Sequence, residues 1–374
     1  MKYFVSAGEA SGDLHGASLV REIVRLDSDA EITFLGGDSM ALAAGKAPLI
    51  HYRDMAFVGF SEVVRHLGKV LGNLKTAKKA IESFRPDALV LIDYPSFNLR
   101  LAAYACSLGI PVYYYISPKV WAWKEWRVKD MRRYCRMILS ILPFEVGYFR
   151  NKGLEVTYVG NPSVEEVDAR EAVLPPRGEF LLRHSLPDGK PLLALVPGSR
   201  VGEIRNNLPI MDAVARRFPQ FTPVIAGAPG IDMSLYSRFS AFPVVAGATF
   251  ELVRNSSAAL VTSGTATLET ALLGTPQVVC YRSNGSRLSR KIMERFIKCD
   301  FVSLPNLIAG REIVKELLLD RCTEQTVAAE LARIMPGTEG RDEMLRGYAR
   351  MRGILGSSTS ASAAATAIIS DLRR

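Results

Sequence analysis

The chain has 374 residues, 48% hydrophobic and 23% charged, with a formal net charge of +9. That length exceeds one ordinary core and favours two domains, while the composition excludes a disordered or fibrous chain. Five cysteines, odd in number and without CxxC spacing, argue against a disulfide framework or a zinc site and for a reducing cytosol; the basic balance favours an anionic partner. No run of about 18 apolar residues occurs, so no membrane-spanning helix is expected. The opening Lys2-Tyr-Phe-Val-Ser6 lacks the long apolar core of a signal peptide.

Tyr3-Phe-Val-Ser-Ala7 reads as a first strand, Gly8-Glu-Ala-Ser-Gly-Asp-Leu-His-Gly16 as a glycine-rich loop, and Ala17–Leu26 as a helix. This βα start permits close backbone approach to a ligand, but its spacing is not the dinucleotide fingerprint. Further strands are expected at Glu31–Gly37, Ala88–Asp93, Val112–Ser117, Met137–Leu142 and Val156–Gly160. A polar, proline-bearing connection, Ser163–Lys190, reads as a linker plus a first helix. The alternation then restarts with strands at Leu192–Val196, Thr222–Gly227, Pro243–Ala246, Ala258–Thr262 and Gln277–Tyr281. Strands alternating with helices imply parallel sheets covered on both faces. The expected divisions are 1–165, 166–340 and a helical tail, 341–374, that packs back on the first half or is exchanged in a dimer. Two doubly wound halves in tandem would make a cleft between the carboxyl ends of two sheets, where ligands bind.

Three junctions carry candidate chemistry. Ser263-Gly-Thr-Ala-Thr-Leu-Glu269 joins a buried strand to a short helix, leaving unpaired N–H groups and a helix dipole suited to a phosphate. Glu269, one turn in, is placed to hold ribose hydroxyls; the competing reading is an ordinary capped turn. Pro197-Gly198-Ser199-Arg200, followed by Glu203, is a second such loop: Arg200 either neutralises a diphosphate or pairs with Glu203 on the surface. Asp93 ends an apolar strand and precedes Tyr94-Pro-Ser-Phe-Asn98, so it reads either as a general base or as a helix cap.

Two surface readings stay open. Met55–Phe60, then Val64, Leu67 and Leu71, has lysines interspersed, Lys75 among them. It is either a core-facing helix or an apolar, lysine-rimmed surface for acyl chains or bilayer, with Phe57, Val58 and Phe60 at its head. All three tryptophans, including Trp121 and Trp123, lie in six residues ahead of a basic run, Arg127 to Arg136. That pattern suits a membrane surface, nucleic acid or a solvated helix over packed rings. The four histidines show no metal spacing, and no P-loop, GxSxG or HExxH motif occurs.

Taken together, these residues resemble the lipid-A-disaccharide synthases, a family of bacterial glycosyltransferases. The matching blocks are Gly8–Asp13 with Gly16, Asp93–Asn98, Ser117–Trp123, Leu142–Glu145, Val159–Pro162, Pro197–Arg200 with Glu203, Ser263–Glu269, and Pro305–Arg311. They run in family order over most of the chain. Departures are Asn161, where the family commonly has His, and Lys315 and Leu319, where it usually has Pro and Gln.

The resemblance implies a GT-B fold, two Rossmann-like domains, and an inverting transfer without cofactor or metal. The donor would be UDP-2,3-diacylglucosamine and the acceptor 2,3-diacylglucosamine 1-phosphate. It implies a base at Asp93 and a donor cradle of Gly198, Ser199, Arg200, Ser263, Gly264, Thr265, Ala266, Thr267, Glu269 and Asn306. Glu9, Ser11, Gly12, Asp13 and Asn98 would position a sugar. It further implies a peripheral protein at the cytoplasmic face of the inner membrane, not a nucleic-acid binder, with a possible dimer through C-terminal helices. The competing functions are a UDP-sugar epimerase and a non-catalytic nucleotide-sugar binding protein of the same architecture.

Overall fold

The computed structural model describes residues 1–55, 67–122, 124–282, 300–357 and 359–374. The chain forms two compact units, Met1–Pro162 with Ser357–Arg374, and Ser163–Gly356.

The first unit is built on seven parallel strands: β1 (Lys2–Ala7), β2 (Glu31–Gly36), β3 (Ile50–His51), β4 (Ala88–Ile92), β5 (Val112–Tyr115), β6 (Met137–Ser140) and β7 (Thr157–Tyr158). Their spatial order is β3-β2-β1-β4-β5-β6-β7. β4 and β5 are buried along their whole length, as strands covered on both faces must be. The chain steps outward one way from β1 and the other way from β4, so the reversal leaves a crevice at the carboxyl ends of those two strands.

The expected strands are all present, most of them trimmed at their ends. β3 was not anticipated; a two-residue edge strand carries no periodic signal. The expected loop 8–16 is mostly helix, because Ala10–Leu26 is one continuous helix. Its glycines serve packing. A Cβ on Gly16 would lie 2.6 Å from Met40 Sδ, and one on Gly12 would lie 3.3 Å from Ala7 Cβ.

The tail divides. Helix Glu339–Leu355 stays with the second unit, burying Met344, Gly347, Tyr348, Met351 and Leu355. Helix Ser360–Leu372 returns to the first unit and packs on Ala10–Leu26, adding Ala364, Ala365, Ile368 and Ile369 to the core of Leu19, Val20 and Ile23. Tyr113 Oη donates to Asp371 at 2.7 Å, Arg136 pairs with the same carboxylate, and Tyr115 Oη meets Ser360 Oγ at 2.8 Å.

The second unit has six parallel strands: β8 (Leu192–Val196), β9 (Thr222–Gly227), β10 (Val244–Ala246), β11 (Ser256–Thr262), β12 (Gln277–Tyr281) and β13 (Lys315–Leu318). The order β10-β9-β8-β11-β12-β13 puts its reversal between β8 and β11. β13 is an edge strand that the polar Lys315-Glu316 start concealed. Among the described residues no helix is long and apolar enough to cross a membrane.

Candidate active site

Both topological reversals coincide with the junctions singled out above. In the first unit Ala7 pairs with Ile92, so Glu9 and Asp93 follow adjacent strand ends. Asp93 and Tyr94 both take left-handed backbone conformations, with φ of 41° and 47°. For non-glycine residues each such conformation costs roughly 1–3 kcal/mol and must be held by its surroundings. Here the braces are evident. Asn98, fully buried, donates Nδ2 to the carbonyls of Asp93 (2.8 Å) and Ile92 (3.1 Å), and its Oδ1 accepts from Ser6 Oγ at 2.7 Å. Tyr114 Oη donates to Asp93 O at 2.6 Å, and Tyr94 Oη donates to Met55 O at 2.7 Å. Gly8 admits the Tyr94 ring; a Cβ there would sit 2.2 Å from a ring carbon.

The turn leaves the Asp93 side chain half-buried beside Glu9, Lys119 and Arg127. Burial raises its pKa above the usual aspartate value; Glu9 adds to the rise, and Lys119 and Arg127 oppose it. The alternative of Asp93 as a helix cap is not what forms. The cap position of helix Pro95–Ser107 is Tyr94, with no side-chain cap bond.

Asp13 is almost fully buried, and its carboxylate accepts from the amides of Gly37 (2.6 Å), Ser39 (3.0 Å) and Met40 (3.1 Å). It thus caps the helix Asp38–Ala44. With Asn98 it is a brace, where a sugar contact was expected. Glu9 and Ser11 are exposed at the start of the first helix, and Gly12 is buried against Ala7.

The tryptophan segment is fixed by a carboxyl that sequence reasoning left without a role. Glu145, 1% exposed, accepts from Trp121 Nε1 at 2.9 Å, from Ser117 Oγ at 2.5 Å and from Ser140 Oγ. Burial pushes its pKa up, and those donors hold it down. Trp121 also meets Phe144 edge-on, whereas Trp126 is 61% exposed. The Leu142–Glu145 motif was the available signal for this anchor.

In the second unit Val196 pairs with Val261, so the loops after β8 and β11 stand side by side, about one strand spacing apart, ~4.8 Å. Gly264 opens helix Thr265–Leu272 with φ 156°, a conformation for glycine. The amides of Thr265 and Ala266 begin the helix and face no intrahelical acceptor. Thr267 is folded inward, its Oγ1 donating to Gly264 O at 2.7 Å. Ser263 is half-buried, and Thr262 Oγ1 is buried with no partner among the described residues.

Glu269 is half-buried one turn into that helix. Burial, then the nearby Glu166, raise its pKa to about 7, while Arg170 opposes them. No hydrogen-bond donor among the described residues reaches its carboxyl.

In the neighbouring loop Glu203 accepts from the amides of Ser199 (3.0 Å) and Arg200 (3.3 Å), so those amides are occupied. Arg200 itself is 69% exposed and 3.5 Å from Glu203, a weak surface pair that leaves its guanidinium able to turn to an anion. Gly198 forms the turn beneath it, at φ 118°.

Asn306 is fully buried. Its Oδ1 accepts from Ile313 N and Val314 N, and its Nδ2 donates to Val314 O and Glu316 Oε1. With both ends occupied, it braces helix Leu304–Ala309 against β13, and the expected nucleotide contact is replaced by that role. Asn161 donates to Ile141 O at 2.9 Å. No group of three or more His, Cys, Asp or Glu suited to a metal occurs among the described residues.

Of the surface candidates, Leu71 is 50% exposed and Lys75 is exposed on helix Leu67–Phe84, whose Ala77 and Ile81 enter the core. Phe57, Val58, Phe60, Val64 and Trp123, and the side chain of Leu67, lie outside the described residues.

A sequence model of the family described as lipid-A-disaccharide synthetase matches residues 3–365. The chain belongs to the lipid-A-disaccharide synthase family. It is 41% identical to the lipid-A-disaccharide synthase of Myxococcus xanthus, over 98% of this chain and 97% of that one. It is 37% identical to that of Koribacter versatilis, over 94% and 92%. Membership makes it a glycosyltransferase enzyme of lipid A biosynthesis. Among solved structures, UDP-GlcNAc 2-epimerase from Neisseria meningitidis aligns with TM-score 0.68 at 13% identity, covering all of both chains. The calicheamicin glycosyltransferase CalG4 aligns with TM-score 0.60 at 15% identity, over 100% of this chain and 98% of that one. At such identities the likeness is one of fold, the GT-B class of paired Rossmann-like units.

Proposed function

We propose that the chain transfers 2,3-diacylglucosamine from its UDP derivative to O6 of 2,3-diacylglucosamine 1-phosphate. The products are the β-1,6-linked disaccharide 1-phosphate and UDP. The observation that carries this reading is Asp93, a carboxylate in a braced left-handed turn at the first unit's topological reversal, with burial favouring its protonated form. O6 attacks the donor's anomeric carbon from the face opposite UDP, a C–O bond forms as the bond to the diphosphate breaks, and the hydroxyl proton passes to Asp93. One carboxylate and one displacement give inversion.

The second unit holds the leaving group. The amides of Thr265 and Ala266, with Ser263 and Gly264, cradle the diphosphate, Arg200 neutralises it, and Glu269 accepts from the ribose hydroxyls. Glu9 and Ser11 orient a sugar beside Asp93. Gly12, Gly198, Thr267, Asp13, Asn98 and Asn306 act by holding those groups in place. Leu71, Lys75 and the tryptophan segment meet acyl chains and an anionic bilayer at the inner membrane, so that lipid binding orients the reacting ends. A dimer would form by exchanging helix Ser360–Leu372, which in this chain closes on its own unit.

The test is incubation with both diacyl sugars of short chain, detecting disaccharide and UDP together. Asp93→Ala is expected to abolish both products while UDP-sugar binding persists. Turnover at the wild-type rate in that variant would remove Asp93 as the base. An epimerised UDP-sugar without disaccharide would favour the epimerase.

A further inference from the structure

A cavity of about 440 Å³ lies between helices Pro95–Ser107 and Arg127–Tyr134. Its walls are of two kinds. Leu99, Trp126 and Tyr134 give it apolar surface; Arg100 and Arg127 give it positive charge, against one carboxylate, Asp130. Arg100 is exposed and makes no ion pair among the described residues. Arg127 is 5% exposed, donates Nη2 to Ser96 Oγ at 2.8 Å and stacks its guanidinium 5.6 Å from the Trp126 ring. Ser96 is in the first turn of the helix that Asp93 precedes. Arg127 also lies within electrostatic reach of the Asp93 carboxylate. The guanidinium thus lines the cavity and is tied to the helix turn that follows the base.

We infer that this cavity binds the anomeric end of the acceptor, with its 1-phosphate on Arg127 and Arg100 and its 2-acyl chain along Leu99, Trp126 and Tyr134. The inference rests on the proposed reaction and assigns a part of the substrate that the reaction leaves unplaced. Its chemistry follows from the sugar. The reacting 6-hydroxyl is borne through C6 by C5 and the phosphate by C1, the two carbons that flank the ring oxygen, while the phosphate and the 2-acyl group are on adjacent carbons. A site for this acceptor therefore needs a base, an arginine about a ring's width away, and apolar surface directly beside that arginine. The cavity supplies the arginines with apolar surface beside them, against the helix that follows Asp93. Arg–phosphate pairing is charge-assisted and strong where the arginine is partly shielded from water, as Arg127 is. The donor carries a nucleoside diphosphate in place of the phosphomonoester, so the same pair distinguishes acceptor from donor.

The experiment compares 2,3-diacylglucosamine 1-phosphate with 2,3-diacylglucosamine as acceptors in the full-length enzyme. Wild type is expected to prefer the phosphorylated acceptor in kcat/KM. In Arg100→Ala and Arg127→Lys that preference falls by about tenfold, the scale of one charge-assisted contact, with KM for the UDP-sugar unchanged. Trp126→Ala is expected to raise KM for long-chain acceptors more than for short-chain ones. A preference ratio equal to wild type in both arginine variants overturns the site, as does a wild type indifferent to the phosphate. Arg100→Ala alters an exposed side chain, so it decides the matter if Arg127→Lys folds poorly. If wild type forms no disaccharide from either acceptor, the proposed reaction has failed. Equilibrium binding of the 1-phosphate to wild type and Arg100→Ala then judges the cavity alone, and equal affinity rejects it.

Discussion

Glu269 shows how one residue's surroundings set a measurable property. Its pKa near 7 means that burial favours the protonated form in the folded chain. The stabilisation from that form is complete below the ordinary glutamate pKa, near 4.3, and is lost as pH rises through about 7. A ligand whose hydroxyls donate to the carboxylate has the opposite demand. Affinity for a UDP-sugar, whose diphosphate charge is constant in this range, should therefore rise between pH 6 and 8. Glu269→Gln should bind about tenfold more weakly at pH 8 and lose that dependence. Calorimetric titration at several pH values checks both; a variant with the wild-type slope would dissociate Glu269 from the ribose. The sequence made Glu269, Arg200 and Asp93 legible because each follows a strand end in an open α/β sheet. It did not distinguish Asp13, Asn98 and Asn306, which occur in equally suggestive motifs. Their hydrogen bonds go to backbone groups, such as those of residues 37–40 for Asp13, that become neighbours only on folding.

The turn after β4 is an element held by several side chains, of which the Asn98 amide makes the most contacts with it. Asn98→Ala removes the donor to the carbonyls of Ile92 and Asp93 and leaves Ser6 Oγ without its acceptor. Such a loss costs about 1–3 kcal/mol. Because the strained residues include the proposed base, the expected signature is a lower denaturation midpoint together with a fall in kcat, with UDP-sugar affinity kept. A variant that loses stability but retains kcat would show that the turn stays in place without Asn98. At this scale the central strands were read correctly from their apolar runs. The first glycine motif was misread because Gly12 and Gly16 in a helix pattern look like loop residues. What they allow is close approach of the helix to Ala7 and Met40, which no local pattern records.

For the molecule as a whole, the proposed encounter with a bilayer turns on helix Leu67–Phe84. Leu71 and Lys75 face outward while Ala77 and Ile81 face the core. Leu71→Glu with Lys75→Glu should reduce co-sedimentation with anionic phospholipid vesicles and leave turnover of short-chain substrates intact. Unchanged co-sedimentation would show that this surface is not the one that meets lipid. Two Rossmann-like units were legible because the βα alternation stops at Pro162 and resumes at Leu192. The return of the tail to the first half was expected as well, but not its division, by which only helix Ser360–Leu372 returns. Its small, Ala- and Ser-rich face gives a weak core signal, yet small residues are what lets it lie close on helix Ala10–Leu26.

That return has a consequence for synthesis. The first unit's core is completed by Ala364, Ala365, Ile368 and Ile369, residues made after the whole of Ser163–Gly356. At ordinary elongation rates the ribosome takes about 10–40 s to traverse the intervening unit. Throughout that interval the stripe of helix Ala10–Leu26 that the last helix covers stays open, while the second unit is free to fold. The part made first is finished last, and its exposed stripe is the surface that a chaperone would attend during translation.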